Sequence, residues 1–190
     1  MPTIGVSVAV PEPFGSELQR MRDSFGDPLA SGIPTHITLL PPTEVDDATY
    51  AALEAHLARA ARTVEPFEVL LRGTGTFRPI SPVVFVQVAR GISECEQLEE
   101  AVRSGPVMRE LEFSYHPHVT VAHHLDDAAL EAAFEALADY TATFPVTAIS
   151  LYRHGADDVW RAARSFPLGS AGARSRAERV STVPAGEVTA

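Results

Sequence analysis

The chain opens on an unbroken β-branched and apolar run, residues 3–10 (TIGVSVAV), closed by Pro11, which predicts a buried strand. Residues 12–25 change period: Phe14, Leu18, Met21, Arg22 and Phe25 recur at spacings of three and four, the face of a helix stopped by Gly26-Asp27-Pro28. A loop over 31–34 leads to a short strand, 35–40 (THITLL), ended by Pro41-Pro42. Asp46 and Asp47 then open an alanine-rich helix running to about Thr63, their carboxylates favoured at the positive end of its dipole. Residues 67–77 and 82–89 read as two strands joined by a turn over 79–81, the first interrupted by glycines. Residues 92–103 form a helix with Cys95, Leu98 and Val102 inward. Gly105-Pro106 interrupts it, and 107–111 add a further turn.

The order then recurs. Residues 118–123 (HVTVAH) form a strand, Asp126-Asp127 open an alanine-rich helix to about Tyr140, and 144–154 and 159–166 read as strands joined over 155–158. His36 and His118, Asp46 and Asp126, and Phe67 and Phe144 are each about 80 residues apart. Strand, helix, strand, strand thus occurs twice, with the tripeptide His-x-Thr at matched positions. This predicts an α+β fold: a bilobal, duplicated unit with pseudo-two-fold symmetry and an antiparallel sheet in each lobe facing a central groove. The expected boundaries are one domain over 1–168, with a first half about 30–90 and a second about 112–168. Residues 169–190, rich in Ser, Gly, Ala and Arg without an apolar period, read as a flexible tail.

Composition narrows the chemistry. The 190 residues are 45% hydrophobic and 21% charged, enough to build a core. The 25 acidic against 15 basic residues give a net charge of −10, which argues against binding extended duplex nucleic acid through a broad positive surface. All the basic residues are arginine, so lysine Schiff-base chemistry and a P-loop lysine are excluded. The single cysteine, Cys95, reads as a small buried hydrophobe and cannot form an internal disulfide. The first residues lack a basic segment followed by a long apolar run, so the expectation is a cytoplasmic protein without membrane association.

The informative residues are His36-Ile37-Thr38 and His118-Val119-Thr120. A strand alternates faces with period two, so each motif turns an imidazole and a hydroxyl to one side and aliphatic residues to the other. Related by a two-fold, the pairs converge on one cleft. Two imidazoles with an ordinary pKa of about 6.5 suit metal-independent phosphodiester chemistry, one taking a proton and the other giving one. The threonine hydroxyls can donate to the non-bridging phosphate oxygens.

Residues 34–41 (PTHITLLP) and 116–121 (HPHVTV) resemble the two motifs of the 2H phosphoesterase superfamily, and within it the bacterial 2'-5' RNA ligase and cyclic phosphodiesterase group. The resemblance spans about residues 3–168. It implies a bilobal α+β fold with both motifs at a central groove, no cofactor, no metal, and His36, Thr38, His118 and Thr120 as the catalytic four. It also implies hydrolysis of a 2',3'-cyclic phosphate on a nucleotide or an RNA terminus, with 2'-5' RNA ligation in some members. One departure stands out: where many ligase-like members carry a basic residue shortly after the second threonine, this chain reads Ala122-His123-His124. RNA ligation is the activity this puts in question. A nucleotide- or RNA-end-binding protein with little or no turnover, and a structural role for both buried pairs, are the alternatives. The roles of acid and base are not assigned between the two histidines.

Phe77, Arg78, Tyr115, His116 and Arg153 are candidate substrate contacts. Phe77-Arg78 and Tyr152-Arg153 end matched strands; Tyr115 could stack on a base, and His116 shares the face of His118 unless Pro117 bends it away. On a continuous strand His123 faces away from His118, so the histidines form no metal cluster. Trp160 reads as a packing residue. A monomer is expected.

Overall fold

The computed structural model describes residues 1–108 and 113–169. Eight strands and four helices follow in order: β1 Thr3–Ala9, α1 Phe14–Ser24, β2 His36–Glu44, α2 Asp47–Ala60, β3 Phe67–Thr76, β4 Val83–Arg90, α3 Ile92–Arg103, β5 His118–His123, α4 Asp127–Ala136, β6 Thr141–Val146, β7 Ala148–His154 and β8 Trp160–Pro167. They build two four-stranded sheets, in the orders β2-β1-β7-β8 and β5-β4-β3-β6. Every pairing is antiparallel. The predicted α+β architecture with an antiparallel sheet in each lobe is what the chain adopts.

The sheets do not follow the two sequence halves. Each motif strand pairs with the strand that precedes it across a helix, β1 with β2 and β4 with β5. The unit repeated around each motif is therefore strand, helix, motif strand, helix. The chain then exchanges partners: β3 joins the sheet of the second motif, while β7 and β8 join that of the first. The helices cross over too, α1 packing near β5 and α3 near β2. Ile37, Leu39, Val119 and Val121, the aliphatic residues of the motif strands, are all buried in one core. The two alanine-rich helices start alike: Asp46 accepts from the Thr49 amide at 2.7 Å, and Asp126 from the Ala129 amide at 2.8 Å. Each carboxylate satisfies an amide the first helical turn leaves unpaired.

Several boundaries differ from the sequence reading. β2 does not stop at Pro41-Pro42 but continues to Glu44. It is an edge strand, where a residue lacking an N–H breaks no ladder. The run 144–154 is not one strand but parts of two, β6 and β7, which belong to different sheets. The change occurs at Thr147, between Val146 and Ala148. α4 ends at Ala136, four residues before Tyr140. A tight turn, with Tyr140 N–H bonded to the Leu137 carbonyl at 3.0 Å, then lets the Tyr140 carbonyl accept from Gly73, which sits at φ +65°. Of the turn predicted over 107–111 only Val107 and Met108 are described, and of the tail predicted over 169–190 only Gly169, whose N–H bonds to the Val64 carbonyl at 2.9 Å; the rest lies outside the described residues. Among the described residues, no helix is long and apolar enough to cross a membrane.

Candidate active site

Both motif strands carry the same burial pattern: histidine half-buried, next residue buried, threonine half-buried, then two buried residues in succession. Two adjacent buried positions break the period of two. The pairing registers show why. One step on β4, from Val84 to Phe85, spans two on β5, from Ala122 to Thr120. One step on β1, from Val6 to Ser7, spans two on β2, from Leu40 to Thr38. Each motif strand thus bulges directly after its threonine, and the residues beyond swap faces. His123, which strict alternation turns away from Thr120, comes back to the same side.

A cleft of about 200 Å³ lies on this side, lined by His36, Thr38, Thr120 and His123 from the motif strands, and by Ser7 and Tyr152 from the first sheet. Trp160 and Arg22 also line its wall. The approach to the second motif is tied to the first strand, because the Tyr115 hydroxyl donates to the Thr38 carbonyl at 2.8 Å.

The two imidazoles are oriented in the same way. His36 Nδ1 lies 2.6 Å from the Pro34 carbonyl oxygen, and His118 Nδ1 lies 2.7 Å from that of His116. A carbonyl can only accept, so Nδ1 carries the proton and donates in both rings. Nε2 is then the nitrogen without the anchoring bond, basic when the ring is neutral and a donor when it is charged. Among the described residues, neither Nε2 nor the Thr38 and Thr120 hydroxyls has a hydrogen-bond partner. Burial lowers the pKa of His36, against the Pro34 bond, which favours the cation, and with a smaller contribution from the Arg22 charge. His118 is lowered to about 4, chiefly by burial. The bond to the His116 carbonyl opposes that shift, and the nearby His116 and His36 rings add to it.

The burial of His118 is aromatic. The Phe77 ring stands edge-on to it with centroids 5.0 Å apart, and Phe85 is also 5.0 Å away. His116, despite Pro117, remains on this side, its ring stacked 6.3 Å from that of His118. The other candidates lie differently. Arg78 is spent on Glu131, at 2.8 Å, and on the Thr76 hydroxyl. Tyr115 has its hydroxyl committed to the tie with β2, and burial pushes its pKa up. Arg153 is placed away from the cleft: its guanidinium sits 5.4 Å above the Tyr50 ring of α2, and the adjacent residue, Tyr152, is the one that faces in. Trp160 is a cleft residue as well as a packing one, close against Gly5, where a Cβ would meet the ring at 3.4 Å. Cys95 is fully buried, with its thiol pushed up to about 12 mainly by burial. No group of three or more His, Cys, Asp or Glu side chains among the described residues is placed to hold a metal ion.

Sequence reasoning missed Arg22 and Asp27. Arg22 reads as one more position on the apolar face of α1, and Asp27 as part of the helix stop. Both are buried, at 5% and 4% exposure, and form an ion pair of 2.8 Å. The signal was available: an arginine on the inward face of an amphipathic helix needs a partner, and an aspartate follows five residues later.

The family model of the 2'-5' RNA ligase superfamily matches residues 10–158, which span both motifs and the cleft. The chain belongs to this superfamily, the 2H phosphoesterases. Among superfamily relatives, a Bacillus licheniformis protein named "Putative phosphoesterase" is 32% identical over 114 residues, 58% of this chain and 67% of that protein. One from Bacillus cereus strain Q1, with the same name, is 28% identical over 145 residues, covering 75% and 84%. Escherichia coli LigT in complex with 3'-AMP superposes with a TM-score of 0.64 at 19% identity, over 90% of this chain and all of that one. A Thermus thermophilus protein gives 0.59 at 22% identity, over 90% and 100%. These two structural likenesses speak for the superfamily fold.

Proposed function

We propose that the protein hydrolyses 2',3'-cyclic phosphates, on small nucleotides or at RNA ends, with its two imidazoles as general base and general acid. The observation that carries this reading is the matched pair of Nε2 atoms. Each is freed by an Nδ1 anchored to the carbonyl two residues earlier, and each lies on the same strand face as a threonine hydroxyl without a partner among the described residues. In the reaction, one Nε2 takes a proton from water as the water oxygen bonds to phosphorus. The bond from phosphorus to one ribose oxygen breaks, and the other Nε2–H protonates that oxygen. The products are a phosphate monoester and a free hydroxyl. Thr38 and Thr120 donate to the non-bridging oxygens as charge grows on them. Neither proton transfer needs a metal.

The low pKa of His118 gives the acid role a condition. In the free protein both rings favour the neutral form at pH 7, so the acid must be charged by the substrate, whose anionic phosphate stabilises an imidazolium. This also supports a second reading, a protein that binds nucleotide ends and turns them over slowly. LigT has been crystallised with 3'-AMP, ATP and phosphate, which favours a nucleotide-sized ligand under either reading.

The test is hydrolysis of a nucleoside 2',3'-cyclic phosphate in EDTA. Turnover that survives EDTA and rises as pH falls toward 5 supports the reading. Binding of the nucleotide without turnover at any pH favours the second, and neither binding nor turnover overturns both.

A further inference from the structure

We infer that Arg22, from outside both motifs, binds the substrate's phosphate and supplies the cleft with its permanent positive charge. The inference rests on the phosphoesterase reading and deepens it.

Three observations point the same way. First, Arg22 is 5% exposed, yet it lines the cleft beside His36, Thr38, Thr120 and His123. Second, among the described residues its hydrogen-bond partner is Asp27 alone, and the bond uses only Nε. Both Nη groups, with four N–H donors, have no acceptor among the described residues. Since the described residues hold only Nε, the terminal nitrogens are free to take the oxygens of an anion in the cleft. Third, Asp27 is built to hold it. One carboxylate oxygen takes Arg22 Nε at 2.8 Å and the His123 amide at 3.1 Å. The other takes the Leu29 amide at 2.9 Å. The carboxylate thus faces backbone donors, and the pair becomes a dipole with its positive end toward the cleft. The His123 contact also ties Arg22 to the second motif strand, so the guanidinium is fixed relative to Thr120.

The charge around it strengthens the case. Arg22 is the only arginine lining the cleft among the described residues. The histidines that face Arg22 are His36 and His123, and both have lowered pKa values. For His36 the main cause is burial. For His123 it is burial, then the His124 charge, with Asp27 acting in the opposite direction. Arg22 contributes to both shifts, which places its charge within reach of both rings. At pH 7 and above the cleft histidines are neutral, and Arg22 alone can meet a phosphate with formal charge. A planar fork suits two phosphate oxygens, and Lys would not replace it geometrically. His123 lies in the stretch after Thr120, and Arg22 reaches the same place from α1 through Asp27.

The experiment measures inorganic phosphate binding by calorimetry at pH 7 and pH 8.5, with hydrolysis of a nucleoside 2',3'-cyclic phosphate alongside. Wild type should keep phosphate affinity at pH 8.5, where the histidines are neutral. Arg22→Gln should lose about 10-fold or more at both pH values, the weight of a charge-assisted contact. Arg22→Lys should fall between the two. Because Arg22→Gln leaves Asp27 unpaired, the double variant Arg22→Gln/Asp27→Asn removes both charges. It should stay as weak as the single variant. Arg90→Gln, on the surface and paired with Glu68, should match wild type. Melting curves establish which variants are folded. Should Arg22→Gln fail to fold, the Arg22→Lys and double variants carry the comparison. Recovery of wild-type phosphate affinity in the double variant would overturn the inference, since Arg22 would then only neutralise Asp27. So would a folded Arg22→Lys equal to wild type in phosphate affinity and KM. A wild type that neither binds phosphate nor opens the cyclic ester overturns the phosphoesterase reading along with this one.

Discussion

The two motif strands are alike in their backbone and unlike in what surrounds them. β2 and β5 share the bulge after threonine, the buried pair beyond it and the Nδ1 bond to the carbonyl two residues back. His36, however, lines an open cleft beside Ser7, Tyr152 and Arg22, whereas His118 is packed against the Phe77 and Phe85 rings. A duplicated strand therefore supplies two equivalently anchored nitrogens in unlike surroundings, and burial lowers the pKa of both rings.

The comparison is broken most severely by removing either ring. His36→Ala and His118→Ala should each lower kcat for a nucleoside 2',3'-cyclic phosphate by about 10²-fold to 10⁴-fold. If one variant retains wild-type turnover, the strands are not functional equivalents. Next come the hydroxyls. Thr38→Val and Thr120→Val keep the shape and remove a donor, and each should cost about 10²-fold in kcat with a smaller change in KM. Steady-state kinetics on the folded variants decides this.

The difference in surroundings is sharpened by Phe77→Ala. Opening the aromatic wall should raise the His118 pKa from about 4 toward the ordinary value and leave His36 nearly unchanged, as read by NMR titration. The same shift has a stability consequence. His118 titrates near 6.5 when unfolded and near 4 when folded, so between these values the unfolded chain binds more protons. The stability is full above pH 6.5 and is lost as pH falls toward 4. Urea midpoints should fall across that window, and His118→Gln should flatten the decline. The smallest effect is expected at the matched helix starts. Asp46→Ala and Asp126→Ala each remove one amide cap and should lower the thermal midpoint slightly and equally.

Much of the cleft was legible because period-two alternation is a local rule. His36 with Thr38, and His118 with Thr120, share faces whatever the rest of the chain does. Where alternation failed, a bulge was the cause: His123 was assigned to the far side because one extra residue in β5 is visible only against its partner β4. Arg153 failed in the opposite way. Its position, matched to that of Arg78, suggests a substrate contact, while the residue of that strand facing the cleft is its neighbour Tyr152. In the run 144–154 Pro145 is the one break signal, and it lies inside β6 rather than at the change of sheet after Val146. Only the pairing of its two parts, one with β3 and one with β1, separates them.

By itself the sequence determined the α+β class, the two motif strands, the helices with their aspartate caps and the imidazole–hydroxyl pairs. Each of these depends on residues within a few positions of one another. Tertiary structure decided which sheet each strand joins, that α1 crosses toward the second motif, and that Arg22 and Asp27 meet His123 there. It also decided how far each histidine is desolvated. Pairing and burial are set by residues far apart in the chain, and the energy of a charge depends on everything packed around it.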